Sequence, residues 1–311
     1  MTKYILSVDG GGIRGIIPSI ILAEIEQRTR KPISQIFDLM AGTSTGGIVV
    51  AGLCKKNDEG KPQYSANDLV NFYQEHGPYI FKSSFFRRSI FSWLNGAQYP
   101  YKNIENVLHK YFGDATLADV SNNLLLTSYD IHNNYPFFFK NWKEDRKFIK
   151  LKDALRATTA APTYFAPKYL KINDVERVLV DGGVFANNPA ACAYANSRKL
   201  FPDDDIVLLS IGTGRSSNSI KYSNSKRFGK ITWVKPLLNV MFSSSLDVVN
   251  YQMDQVIDNK YMRIQSHLTI ASPEMDNVTY KNIKYLKQEA QMAIEYNQKA
   301  IDNFCHTFSN K

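Results

Sequence analysis

The chain has 311 residues, of which 44% are hydrophobic and 22% are charged. This composition is ordinary for a soluble globular protein, and the length allows one large domain with a substantial core. A net charge of +9 favours contact with anionic surfaces, for which membranes and nucleic acids both qualify. Nucleic-acid binding would rest on this charge alone, so we do not predict it.

The three cysteines, Cys54, Cys192 and Cys305, are far apart and form no C-x-x-C pair. This pattern indicates a reducing compartment and excludes a cysteine-built metal site. The apolar run at residues 4–8 leads directly into glycines, and no apolar stretch reaches the length of about 18 residues that a membrane span requires. We therefore expect a cytoplasmic protein with only peripheral membrane contact, and we predict no metal and no cofactor.

Two strand–glycine turn–helix units occupy the start of the chain. Residues 4–8 predict a buried strand and residues 16–28 predict a helix, and residues 36–50 repeat the pattern. Such repetition predicts an α/β fold with a central, mostly parallel sheet flanked by helices.

The remaining chain continues to alternate between the two types of element. Strands are predicted at residues 124–129, 136–140, 178–180 and 206–211. Helices are predicted at residues 68–76, 104–111, 151–159, 189–200, 236–257 and 283–304, with Asn188 as an N-cap and Pro189 at the first helical position. Residues 216–230 predict a basic, serine-rich surface loop. No repeat or linker divides the chain, so we predict a single domain over residues 1–311.

The segment Gly42-Thr43-Ser44-Thr45-Gly46 stands between two apolar runs. It has the G-x-S-x-G pattern of a nucleophile elbow, a sharp strand-to-helix turn whose small residues leave the central hydroxyl exposed. An ordinary glycine- and threonine-rich turn would have the same composition. Ser44 is therefore a candidate nucleophile, and its assignment depends on what other groups the chain offers.

The first predicted strand is followed by a glycine cluster, Asp9-Gly10-Gly11-Gly12-Ile13-Arg14-Gly15. The glycines match G-x-G-x-x-G, which favours a dinucleotide site with Asp38 as the ribose partner. Three consecutive glycines also favour a nest of backbone N–H groups that binds any oxyanion, and Arg14 adds a positive charge. No Gly-Lys-Ser or Gly-Lys-Thr is present, so a phosphate-binding P-loop is excluded.

A serine nucleophile needs a base. The order serine, acid, histidine requires a late histidine, and only His267 and His306 qualify. Neither stands in a glycine-rich turn after a strand, where catalytic side chains are usually displayed. Asp181 does, because it ends an apolar strand and precedes two glycines, and a carboxylate there can accept the serine proton directly. A turn residue or helix cap is the alternative interpretation of Asp181.

Together, three motifs in this order resemble the patatin-like phospholipase family: the glycine cluster 9–15, the elbow 42–46 and Asp181-Gly182-Gly183. Residues 72–78, 128–130 and 160–165 also look like the corresponding stretches of plant patatins and their bacterial relatives. The similarity covers about residues 4–214, and the C-terminal third has no recognisable motif.

The resemblance implies a modified α/β-hydrolase-type fold with a Ser-Asp dyad in place of a triad. By position, Ser44 is then the nucleophile, Asp181 is its base, and Gly42 and Gly46 frame the elbow. The implied oxyanion hole and its support are Gly10, Gly11, Gly12 and Arg14. Family members hydrolyse lipid acyl esters without calcium or an organic cofactor, so we expect a phospholipase A or lysophospholipase acting on membrane lipid.

Three alternatives stay open: a Ser-Asp-His esterase that uses His267, a dinucleotide-binding module at residues 10–15, and an idle lipid-binding or storage protein. The sequence does not identify the lipid class or any activating protein or ligand. Control of that kind is expected at residues 216–230 or in the C-terminal helices.

A further aromatic stretch at residues 81–93 interleaves rings with basic side chains. The residues concerned are Phe81, Lys82, Phe85, Phe86, Arg87, Arg88, Phe91 and Trp93. Such a mixture is typical of segments at a lipid headgroup boundary, which makes membrane contact by this stretch a second, weaker hypothesis. A flap packed on the core is the alternative.

Overall fold

Strands and helices alternate along most of the chain in a computed structural model that describes residues 1–83, 96–216 and 220–309. The strands are β1 (Thr2–Val8), β2 (Leu39–Thr43), β3 (Asn123–Asp130), β4 (Tyr135–Lys140), β5 (Lys168–Ile172), β6 (Val175–Asp181), β7 (Asp205–Ile211), β8 (Arg215–Ser216), β9 (Tyr261–Ile264) and β10 (His267–Leu268). The helices of eight or more residues are α1 (Ile16–Thr29), α2 (Thr45–Cys54), α3 (Ala66–Ile80), α4 (Tyr101–Phe112), α5 (Leu151–Thr158), α6 (Ala190–Leu200), α7 (Lys230–Ile257), α8 (Tyr280–Tyr296) and α9 (Gln298–Ser309).

The main sheet has the strand order β5-β6-β3-β2-β1-β7-β9, and β4 also pairs with β3. The central pairs β2–β3, β1–β2, β1–β7 and β7–β9 are parallel. The pairs made by β4, β5 and β6 are antiparallel and lie towards one side. The predicted α/β fold with a mostly parallel central sheet is therefore confirmed.

Helices cover both faces of this sheet, as the buried side chains of β1 demonstrate. Leu6 and Val8 belong to a large apolar cluster that includes residues of α1 to α5, α8 and α9. Ile5 belongs to a second cluster, together with residues of α6 and α7. Because successive strand residues point to opposite faces, a strand that is apolar throughout requires both layers.

Strands β2 and β6 meet end to end along β3, and this arrangement positions the site described below. Strand β4 occupies one edge of β3 from Leu125 to Asp130. The other edge pairs first with β2, as far as Thr43 opposite Thr127, and then with β6, beginning with Asp181 opposite Ser128. The carboxyl ends of β2 and β6 therefore face each other.

The C-terminal helical prediction is wrong in one respect, because residues 283–304 do not form one helix. Helix α8 ends at Tyr296 and α9 begins at Gln298. Asn297 has a non-helical backbone (φ −100°, ψ 15°), and its side-chain amide donates to the Ala293 carbonyl at 2.8 Å. Such side-chain competition ends helices. The apolar periodicity continues because Ile301 of α9 packs into the same core as α8.

Two smaller predictions also need adjustment. Pro189 is the N-cap of α6 and not its first residue, while Asn188 Oδ1 accepts a hydrogen bond from the Ala190 N–H at 2.9 Å. The segment predicted as a loop at residues 216–230 contains a helical turn, Tyr222–Ser225. Within the described ranges, no helix is both long enough and apolar enough to cross a lipid bilayer.

Candidate active site

Ser44 stands at a strained turn between β2 and α2. Its backbone has φ 54° and ψ −121°, a conformation that L-residues rarely adopt. Side chains cannot be accommodated beside it, since a Cβ on Gly42 would lie 2.4 Å from the Gly46 carbonyl oxygen and a Cβ on Gly46 would lie 2.2 Å from that of Val8. The Ser44 N–H donates to Thr158 Oγ1 at 2.9 Å. The segment 42–46 thus has the backbone geometry of a nucleophile elbow.

Asp181 ends β6 beside this turn and is 2% exposed. Burial raises the pKa of its carboxyl to about 7, against the opposing effect of the neighbouring Ser44 hydroxyl and of a hydrogen bond from the Gly183 N–H. The Gly183 bond is 2.7 Å long and engages Oδ1. At neutral pH a substantial fraction of the carboxyl is ionised, so it can accept a proton from the neighbouring Ser44 hydroxyl.

The glycine loop presents two backbone N–H groups to the site and not three. The Gly10 N–H donates to the Asn187 carbonyl oxygen at 3.1 Å, so it is not available to an oxyanion, and the expectation of a Gly10 donor needs correction. Gly11 and Gly12 line the cavity beside Ser44. Among the described residues, neither of their N–H groups has a hydrogen-bond partner.

Close packing explains why this loop consists of glycine. A Cβ on Gly11 would lie 2.3 Å from Thr213 Oγ1, and one on Gly12 would lie 2.2 Å from the Met275 carbonyl oxygen. Gly12 also has a φ of +60°, which favours glycine. Thr213 also fixes the position of the loop, because its hydroxyl donates to the Gly10 carbonyl oxygen at 2.7 Å.

Arg14 fastens the loop to the next strand turn. Its Nε donates to the Gly11 carbonyl oxygen at 3.2 Å, and Nη1 donates to that of Gly214 at 3.2 Å. Burial lowers the Arg14 pKa to about 10, so the guanidinium stays charged at neutral pH. Arg14 therefore contacts the loop through carbonyl oxygens and does not engage the Gly11 and Gly12 N–H groups.

A largely apolar cavity opens above these groups. Its apolar walls come from α2, α3, α4 and the 161–165 segment, with single contributions from α7 and the loop before α8. The wall residues with large apolar or aromatic side chains are Ile48, Phe72, Tyr73, Ile80, Phe81, Ile104, Tyr164, Phe165, Phe242 and Met275. Ser44 and Asp181 lie in the same lining, so an apolar group bound there would lie beside the hydroxyl.

The histidines are not part of this site. His267 and His306 are both exposed, and no histidine lines the cavity among the described residues. Strand β10, which carries His267, instead pairs with β8. The structure therefore does not assemble a Ser-Asp-His triad with His267.

The dinucleotide interpretation also fails on placement. Asp38 precedes β2 and accepts hydrogen bonds from the Tyr4 N–H and from Lys3 Nζ, both at 2.9 Å. It lies at the amino end of the parallel strands, whereas residues 10–15 lie at their carboxyl end. A ribose partner must stand at the carboxyl end.

Only the first residues of the predicted aromatic stretch 81–93 lie in the part of the chain that the structure describes. Phe81 lines the cavity and packs against Tyr99 with ring centroids 5.3 Å apart, as a flap on the core would. Most of the aromatic stretch 81–93, including Arg87 and Arg88, lies outside the described residues. Within the described part of the chain, no cluster of His, Cys, Asp or Glu has the arrangement of a metal site.

Several supporting residues were not anticipated. Thr158 holds the Ser44 N–H and donates to the Thr127 carbonyl oxygen at 2.6 Å, and Asn187 engages Gly10. Thr213 could have been suspected, since Gly212-Thr213-Gly214 closes the most apolar strand in the sequence. The others stand in segments without a motif.

Comparison with known proteins agrees with this geometry. The patatin-like phospholipase family model matches residues 6–194. The chain is 33% identical to patatin-like protein 1 of Arabidopsis thaliana, over 91% of this chain and 79% of that protein. It is 31% identical to patatin-2-Kuras 3 of Solanum tuberosum, over 94% and 83% respectively.

Human GIVD cytosolic phospholipase A2 has a similar fold, with a TM-score of 0.53 at 10% identity over 99% of this chain and 60% of that one. Identity this low supports the likeness of the folds alone, whereas the family model and the plant relatives match most of the chain at the sequence level. The chain therefore belongs to the patatin-like phospholipase family.

Proposed function

We propose that the protein hydrolyses fatty-acyl esters of membrane lipids, with Ser44 as nucleophile and Asp181 as base. Membership of the family supports lipid acyl hydrolase activity in general. The observation that carries the specific assignment is the placement of a serine, on a strained elbow, in the same cavity lining as a buried carboxyl whose pKa is raised to about 7. Both groups line an apolar cavity that suits an acyl chain.

The proposed reaction has two steps. Asp181 takes the Ser44 proton while Oγ attacks the ester carbonyl, and the tetrahedral oxyanion accepts hydrogen bonds from the Gly11 and Gly12 N–H groups. Collapse returns the proton to the leaving alcohol and leaves an acyl-serine. A water then attacks with Asp181 again as base, which releases the fatty acid and restores the hydroxyl. These steps use side-chain and backbone groups only, so we propose that neither calcium nor an organic cofactor is needed.

The decisive experiment measures fatty-acid release from phosphatidylcholine, lysophosphatidylcholine and triacylglycerol by the purified protein. Ser44→Ala and Asp181→Asn are each expected to lower the rate at least about 10³-fold, because each removes one half of the proton transfer. Addition of a calcium chelator is expected to leave the wild-type rate unchanged. The same lipid panel will identify the preferred class of substrate.

Ser128→Ala is the matched control for Ser44→Ala. Ser128 is a buried serine opposite Asp181 in the sheet, and its hydroxyl donates to the Val180 carbonyl oxygen at 2.6 Å. It does not line the cavity, so near-normal activity is expected. Wild-type rates in both dyad variants would overturn the dyad, and loss of activity in His267→Ala alone would establish the triad instead. Lipid binding without hydrolysis in the wild type would indicate a binding or storage protein.

A further inference from the structure

Helix α7 is apolar on its outer face, which is unusual for a surface helix. Several large side chains along it are at least about a third exposed: Trp233, Val234, Leu237, Val240, Met241, Val248 and Tyr251. Most of them recur at helical spacing and form one stripe. None of the described side chains from residue 232 to residue 252 is fully buried. An apolar stripe of this extent indicates an interaction surface.

The chain that precedes this stripe and forms its first half carries charge of a single sign. Residues 206–246 contain no acidic side chain and six basic ones, which account for six of the nine net positive charges of the chain. The basic residues are Arg215, Lys221, Lys226, Arg227, Lys230 and Lys235. Arg215 pairs with Asp247 at 3.0 Å, whereas exposed Lys221, Lys226 and Arg227 make no ion pair with any described residue. The stripe is thus bordered by positive charge that is not neutralised.

The same helix reaches the catalytic cavity from its inner side. Phe242 of α7 lines the cavity, and α7 packs against the turn Gly183–Ala186 that follows Asp181. The exposed stripe and the cavity are therefore joined by one helix, with Phe242 facing the cavity and Leu237, Val240 and Met241 facing solvent.

We propose that the outer face of α7, together with the basic residues that precede it, docks the protein onto anionic lipid surfaces. A lipid surface offers negative headgroups to Lys226 and Arg227 and an apolar boundary to the stripe. A second copy of this chain would bring the same positive charges together, which disfavours it as the occupant. The inference rests on the proposed function, because docking through α7 would place the cavity near its substrate.

The test is co-sedimentation with vesicles in a Ser44→Ala background, in which the proposed hydrolysis cannot alter the membrane. Vesicles of phosphatidylcholine are compared with vesicles of equal parts phosphatidylcholine and phosphatidylglycerol. Leu237→Ser/Val240→Ser is expected to weaken binding to the mixed vesicles at least about tenfold, since two apolar side chains no longer enter the interface. Lys226→Glu/Arg227→Glu is expected to weaken it at least about tenfold on mixed vesicles only.

Ile270→Ser/Met292→Ser is the matched control. These side chains are 45% and 42% exposed, against 49% and 45% for Leu237 and Val240, and they lie outside α7. The control is expected to bind like the parent protein. With an intact Ser44, both serine pairs are expected to hydrolyse the water-soluble ester p-nitrophenyl butyrate normally, which verifies that they are folded.

Equal binding by the α7 and control variants would overturn the docking surface, even if lipid hydrolysis is normal. If the parent protein forms a concentration-dependent dimer and Leu237→Ser/Val240→Ser abolishes it while the control pair does not, then a second copy covers the stripe. Absence of hydrolysis by the wild type, with vesicle binding that depends on α7, would overturn the proposed function and leave the docking surface standing.

Discussion

Asp9 and Asp181 stand at similar places in the fold, where a strand ends and glycines follow, but the electrostatic environments of the two carboxyls differ. Asp9 follows β1 and Asp181 ends β6, and both are buried and precede glycines, three after Asp9 and two after Asp181. Burial raises the pKa of Asp9, but the Arg263 guanidinium opposes that shift and donates to both of its oxygens, at 2.9 and 2.5 Å. Among the described residues, the groups that oppose the effect of burial on the pKa of Asp181 are the neutral Ser44 hydroxyl and Gly183 N–H.

The difference shows how one short motif serves two purposes. A bidentate cation stabilises the charged form of a buried carboxylate and so opposes the rise in pKa that burial causes. A buried carboxylate with only neutral donors keeps a raised pKa and can exchange a proton near neutral pH. Asp9 is thus paired with Arg263 beside the glycine loop, while Asp181 has the properties that the proposed base requires.

The strongest test of this contrast replaces each carboxyl by an amide and measures the free energy of unfolding at about pH 9. Asp9→Asn is expected to lower it by about 3–5 kcal/mol, because Arg263 is left as an uncompensated buried charge. Asp181→Asn is expected to raise it by up to about 4 kcal/mol, because an ionised buried group without a cation is removed.

The sign for Asp181 follows from its pKa, which is raised from 3.8 to about 7 in the folded protein. The folded state binds this proton more tightly than the unfolded chain, so its contribution to stability is lost as the pH rises from about 4 to about 7. The gain from Asp181→Asn should therefore vanish in acid. Asp9→Asn/Arg263→Gln, which removes both charges, should recover part of the loss. Shifts of the same sign for both amides would contradict the contrast.

A second prediction concerns the N–H groups of the glycine loop that follows Asp9. Gly12→Ala is expected to lower lipid hydrolysis about 10²–10³-fold, because its Cβ would collide with the Met275 carbonyl oxygen and displace a proposed oxyanion donor. Gly60→Ala is the matched control, since Gly60 also has a positive φ (+77°) but no atom within 4 Å of an added Cβ. Fatty-acid release by the two variants is compared under identical conditions. Equal rates would mean that the Gly12 N–H has no part in the reaction.

Much of the fold could be predicted from local pattern, because burial leaves a readable record in the sequence. Strands β1, β2 and β7 are short apolar runs, and the glycines after them mark turns. Asp181 could be proposed as a base since the motif after β6 repeats that pattern. Periodicity does not report which strands pair, however. The end-to-end meeting of β2 and β6 along β3, which brings Ser44 to Asp181, depends on long-range pairing.

The contacts that distinguish the surroundings of Asp9 from those of Asp181 could not be predicted from the sequence either. Arg263 lies far along the chain from Asp9, in a strand with no motif, and Asn187 engages the Gly10 N–H through its backbone carbonyl. A backbone carbonyl is present at every residue, so no residue type signals such a contact. The sequence therefore indicated three glycine donors where the packing leaves two.

The smallest expected effect is the dependence of the rate on pH, which tests the Asp181 carboxyl alone. The proposed base must be ionised, and its pKa is about 7. The kcat/KM for an uncharged ester should then fall about tenfold per pH unit below about pH 6, which corresponds to about 1.4 kcal/mol per unit, and level off above about pH 8. An uncharged substrate ensures that only the protein titrates. A midpoint near the ordinary aspartate value of about 4 would mean that burial does not govern the base. A midpoint near neutrality that disappears in His267→Ala would assign the titration to the histidine, and the contrast between Asp9 and Asp181 would then concern stability alone.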